Sequence, residues 1–150
     1  MPVEVQVASA AERLPASGEI QQWADAALEE LADEAEPPDL CIRLVDAEES
    51  RSLNDRYRGQ DKPTNVLSFP ADVAIPGERL LGDLVICVPV VVDEAQSQRK
   101  PMVDHFAHMV VHGVLHLLGH DHIEPASAAQ MEALEVAILG RLGVPDPYER

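Results

Sequence analysis

Val3, Val5 and Val7 alternate with Glu4 and Gln6, the two-residue period of a strand with one buried face. From Ser17, a residue suited to an N-cap, Ile20, Trp23, Ala24, Ala27, Leu28 and Leu31 recur every three or four positions. Glu29, Glu30, Asp33 and Glu34 fill the opposite face, so the spacing predicts an amphipathic helix closed by Pro37 and Pro38. LCIRLV (40–45) reads as a second strand, and Asp46 with Glu49 reads as a capping box opening a short helix to about Tyr57. NVLSF (65–69) and LGDLVICV (81–88) are strands, with IPGE (75–78) in the loop between them. Pro89 suits the first turn of a helix that ends near Lys100 and Pro101. Residues 102 to 118 are apolar on almost every side and predict a central, buried helix. A last helix starts near Pro125 and turns Met131, Leu134 and Ile138 inward. The order β-α-β-α-β-β-α-α-α implies an α+β fold over 1–150, a single domain in which helices pack on one small mixed sheet.

Composition narrows this further. The chain has 150 residues, 46% of them hydrophobic, and no internal repeat, enough for one buried core. The N-terminal stretch lacks a basic segment followed by an apolar run, and nothing approaches a membrane span, so a soluble cytoplasmic protein is expected. Cys41 and Cys87 sit in apolar strand-like runs and are expected as reduced thiols. A formal charge of -16 argues against a general nucleic-acid-binding surface, because phosphate contact needs clustered Lys and Arg. One positive island survives in RSLNDRYRGQDK (51–62), where Arg51, Arg56, Arg58 and Lys62 outnumber Asp55 and Asp61.

The chemistry concentrates in HGVLHLLGHDH (112–122), since all six histidines lie between His105 and His122. His108, His112 and His116 share one helix face, but His108 and His116 stand about 12 Å apart along the axis. Ligands of one ion, each about 2.0–2.1 Å from it, cannot span that length, so only one adjacent pair can converge. Gly119 selects the pair. A glycine just past an apolar helix ends it in the left-handed conformation and folds the chain back, which brings His122 toward His112 and His116. His112, His116 and His122 then form a three-histidine site at the end of the buried helix with an open fourth position, the arrangement of catalytic zinc. His105 and His108 are expected as polar positions on the same helix, and Asp121 can orient a ligand imidazole.

This spacing also follows the metzincin pattern H-E-x-x-H-x-x-G-x-x-H, except that Gly113 stands where those peptidases carry their catalytic glutamate. Glycine cannot move a proton, so the pattern supports a hydrolytic metal site and argues against ordinary peptide hydrolysis.

Taken together, HGVLHLLGHDH, NDRYRGQDKPTNVLSF (54–69) and LGDLVICV (81–88) resemble the YbeY family of bacterial endoribonucleases, in collinear order over about residues 40–148. Gln60 and His120 depart from the family's usual residues. The resemblance implies a zinc-dependent, single-strand-specific endoribonuclease that matures the 3′ end of small-subunit ribosomal RNA and acts in ribosome quality control. It implies RNA and the ribosome or its proteins as partners, His112, His116 and His122 as ligands of one Zn²⁺ (with Ni²⁺ or Co²⁺ as alternatives), and Arg58 as the residue of catalysis. A zinc hydrolase of other specificity, or a non-enzymatic ribosome assembly factor with a structural metal, are the competing readings.

Overall fold

The computed structural model describes residues 3–29, 39–70, 80–120 and 124–148. Its elements run β1 (Val3–Val7), α1 (Ser17–Leu28), β2 (Asp39–Val45), α2 (Ala47–Arg58), β3 (Val66–Pro70), β4 (Leu80–Cys87), α3 (Val88–Ser97), α4 (Met102–Leu117) and α5 (Pro125–Arg141). The expected α+β domain is what the chain forms. The four strands make one sheet in the order β1-β2-β4-β3, with β1, β2 and β4 parallel and β3 antiparallel to β4.

Side-chain alternation along the strands sorts the helices onto two faces. Leu40, Ile42, Leu44, Leu84 and Ile86 point into the main core with Ile20, Trp23 and Ala27 of α1, Phe106, Val110 and Val114 of α4, and Met131 and Ile138 of α5. Val45, Leu67, Val85 and Cys87 face the other way, where Leu53 of α2 covers them. α4 is the buried axis that the hydrophobic run implies, with ten of its residues between Phe106 and Leu117 buried. It packs closely on the sheet at Gly113. A Cβ placed there would stand 2.7 Å from Leu84 Cδ2 and 3.3 Å from Val66 Cγ2, so the absent side chain sets the helix–sheet distance.

Several boundaries shift. Ala16 is the N-cap of α1, with its N–H donated to the Glu19 carboxylate at 3.1 Å, and Ser17 is the first helical residue. The capping box expected at α2 does not form. Asp46 instead accepts Ser9 Oγ–H at 2.5 Å and Ala10 N–H at 3.0 Å, tying the loop after β1 to the end of β2, while Glu49 pairs with Arg43 at 2.6 Å. α3 stops at Ser97, three residues earlier than expected, and Arg99 turns the chain with φ 56°. Leu134 is only partly buried. Cys41 and Cys87 are both free thiols. The IPGE stretch, Leu31 and the paired prolines lie outside the described residues. No described helix is long and apolar enough to cross a membrane.

Candidate metal centre

α4 ends in a closed turn. The N–H of Gly119 donates to His116 O at 3.0 Å and that of His120 to Leu115 O at 3.0 Å, two bonds that together make a Schellman motif. Gly119 has φ +99°, the positive value the sequence demanded of it. Above this turn the His112 and His116 rings lie edge to face with centroids 4.7 Å apart. Residues 121–123, which include the expected ligand His122 and the expected orienting carboxylate Asp121, lie outside the described residues.

Behind His112 stands a carboxylate that the sequence reading passed over. Glu135 of α5 is 1% exposed. Its Oε1 meets His112 Nδ1 at 2.8 Å, and its Oε2 meets His108 Nε2 at 2.7 Å and accepts the Tyr148 hydroxyl at 2.5 Å. Burial alone would raise its pKa, but the three hydrogen bonds prevail and hold it at about 2. The Tyr148 hydroxyl is pushed well above the ordinary phenol range, first by burial and then by the Glu135 carboxylate that it serves. A signal was present in the sequence: Glu135 stands four residues after Met131 and three before Ile138, an acid on the inward stripe of α5.

One ligand atom from each of His108, His112 and Glu135 falls within 4.8 Å of the others, so these three groups can hold a metal ion. This grouping shares only His112 with the set derived from spacing. His105 and His108 are polar positions of α4 that the fold encloses. Both are buried, and His105 Nε2 pairs with Glu94 Oε1 at 2.8 Å while Asn65 also donates to that carboxylate. Burial lowers the His105 pKa, with Glu94 opposing. A cleft lined by Glu94, Lys100, His105, His108 and Tyr148 leaves Tyr148 half open to solvent.

The positive island lies at the end of α2. Arg51 pairs with Asp61 at 2.6 Å and Arg56 stands 5.6 Å over the Tyr57 ring, whereas Arg58 is exposed and its side chain makes no hydrogen bond or ion pair among the described residues. Tyr57 rests edge-on against Phe69 of β3 at 5.2 Å. Phe69 and Pro70 pair with Asp83 and Gly82 of β4, and Leu117 of α4 reaches Gly82 from the opposite face. The ends of α2 and α4 therefore flank the same end of the β3–β4 pair.

A family model described as Endoribonuclease YbeY matches residues 6–143. The chain is 53% identical over 139 residues to "Endoribonuclease YbeY" of Halorhodospira halophila, covering 90% of this chain and 88% of that one. It is 48% identical over 148 residues to the protein of the same name from Colwellia psychrerythraea, covering 97% and 96%. Its fold is similar to the solution structure of a Thermotoga maritima protein, with a TM-score of 0.57 at 24% identity, over 97% of this chain and 99% of the other. A match across nearly the whole chain, through the strand, arginine and histidine segments alike, makes this protein a member of the YbeY endoribonuclease family.

Proposed function

We propose that this protein is a metal-dependent endoribonuclease that cuts single-stranded RNA, with His112, His116 and His122 as ligands of one Zn²⁺ and Arg58 as the residue that binds the scissile phosphate. In the cell it acts in the cytoplasm on the 3′ end of small-subunit ribosomal RNA and in ribosome quality control, with the ribosome as partner. Ni²⁺ and Co²⁺ suit the same donors. The observation that carries this reading is the pair His112 and His116, 4.7 Å apart above the Schellman turn, in a chain of the YbeY family. Two neutral imidazoles on adjacent helical turns fit a transition metal, and the Glu135 contact at His112 Nδ1 supports Nε2 as the coordinating nitrogen.

When bound, such an ion polarises a phosphoryl oxygen and acidifies water. The chain supplies the rest. Arg58 offers a planar fork of donors to two phosphate oxygens and opposes the charge that grows on them in the transition state. Its place beside the β3–β4 end supports a substrate strand that passes from the end of α2 to the end of α4. An unpaired strand bends into such a corner more readily than a duplex. Ordinary peptide hydrolysis is disfavoured by Gly113, because the side chain of a catalytic glutamate there would run into Leu84 and Val66.

The test is cleavage of a single-stranded RNA by purified protein with and without a chelator, alongside metal analysis of His112→Ala, His116→Ala, His122→Ala and His108→Ala. Chelator-sensitive cleavage, and metal lost from the first three variants and kept by the fourth, is the expected result. No cleavage by metal-loaded protein overturns the activity, and equal metal loss in His108→Ala moves the ion to the His108, His112 and Glu135 grouping.

A further inference from the structure

We infer that Glu135, clamped by His108 and Tyr148, is a positioning residue that fixes the ring of His112 for metal binding, so that the C-terminal Tyr148 helps set metal affinity. The inference rests on the reading of His112 and His116 as ligands.

Three observations distinguish an orienting carboxylate from a ligand. Two donors at about 2.0–2.1 Å from a tetrahedral ion lie roughly 3.4 Å from each other. Glu135 instead meets the two imidazoles at 2.7 and 2.8 Å, the lengths of charge-assisted hydrogen bonds. The carboxylate is also already claimed, since Oε2 receives both His108 and Tyr148. Finally, the hub is closed to solvent. Glu135 is 1% exposed, whereas the His112 side chain remains 21% exposed.

The energetic logic follows from the closure. An imidazole that ligates through Nε2 must carry its proton on Nδ1, and a fixed acceptor at Nδ1 selects that tautomer, freezes the ring and raises its basicity. Glu135 can do so only if its second oxygen is satisfied, because a buried carboxylate with an unmet lone pair costs stability. His108 and Tyr148 meet that need. His108 therefore tunes the affinity without being a ligand, so its loss weakens binding but removes no donor and the ion is kept, and Tyr148 joins the tail after α5 to the site. The sequence offers Asp121 as one carboxylate able to orient a ligand imidazole; at His112 Glu135 stands in that position.

The experiment measures Co²⁺ and Zn²⁺ affinity by competition with a chromophoric chelator, together with the visible spectrum of the Co²⁺ protein. Glu135→Gln keeps an acceptor but loses charge, and is expected to weaken binding about 10–100-fold and shift the Co²⁺ bands. Tyr148→Phe removes one donor from a half-exposed position, folds normally, and is expected to weaken binding several-fold. Wild-type affinity and spectrum in both variants overturn the inference even where His116→Ala loses its metal. Complete metal loss in Glu135→Gln, equal to that of His112→Ala, also overturns it by making Glu135 a ligand. Retention of metal by His116→Ala refutes the underlying ligand reading instead, which keeps the two failures apart.

Discussion

Replacing Gly119 tests whether the turn after α4 serves the metal or only the fold. At φ +99° an L-residue suffers a clash between its Cβ and the backbone, about 1–2 kcal/mol for alanine. Apart from its chain neighbours, no heavy atom of the described residues lies within 4 Å of the position a Cβ would take, so the cost worked here is conformational. Alanine also stiffens the unfolded chain, which returns about 0.4–1 kcal/mol. The net loss for Gly119→Ala is then of order 1 kcal/mol, a fall of about 2–4 °C in Tm for a chain of this length. Valine is worse, because a β-branched residue is a true outlier at positive φ, and a net loss of about 2 kcal/mol is expected. If the turn must be closed for His122 to join His112 and His116, metal affinity falls by the same free energies, about 5-fold for alanine and 30-fold for valine. Thermal unfolding of the metal-free protein reads the first quantity and chelator competition reads the second. A lowered Tm with unchanged Zn²⁺ affinity in both variants would refute the link between this turn and the metal, leaving Gly119 a helix terminator alone.

Arg58→Ala should leave stability and metal content at wild-type values while single-stranded RNA cleavage falls about 100-fold, the loss of one aimed charge contact of about 3 kcal/mol, and Arg58→Lys should recover it only in part; wild-type cleavage by the alanine variant removes Arg58 from catalysis. Gly113→Glu should cost more than about 3 kcal/mol in a urea titration and gain no peptidase activity, since the new carboxylate enters the Leu84 and Val66 contact; a stable variant would show that the helix–sheet distance is not set there. His105 carries a pKa lowered by burial, so the unfolded chain binds a proton at this site more readily than the folded one. Its contribution is complete above the ordinary histidine value of about 6.5 and is lost as pH falls through that value toward the folded one. The urea midpoint of the metal-free protein should drop between pH 7.5 and 5, and His105→Gln should flatten that slope.

The elements were legible because their periods are strong. The three-and-four repeat of α1 has one face, and the structure buries it at Ile20, Trp23, Ala24, Ala27 and Leu28, whereas the valine alternation of β1 gives the strand but only a partly buried face, closed at Val3 and open at Val7. Helix ends were read less well where a side chain had two uses. Asp46 and Glu49 have the spacing of a capping box, yet Ser9 and Arg43 offer them partners that no local reading can see. The same blindness hid Glu135. Its partners His108, His112 and Tyr148 lie 27, 23 and 13 residues away, and only the packing of α5 on α4 brings them together. Gly119 was legible because a left-handed helix end is a local demand on one residue. Gly113 was read only as a missing base, whereas its place in the fold is the close contact with Leu84.

The strand order β1-β2-β4-β3 also orders events in time. β4 is the one strand that bonds to both β2 and β3, and it follows β2 by an intervening helix and strand. As the chain leaves the ribosome, β1 and β2 can align, but half of the sheet and the whole of α4 are still missing. Non-local parallel pairing of this kind is slow and leaves strand edges open in the interim. The core then closes only when α4 and α5 arrive, and those two helices carry His105, His108, His112, His116 and Glu135. If the proposed histidine site holds a metal, nascent chains are largely synthesised before it can be captured, and a shortage of metal would tax the last step of maturation rather than the first.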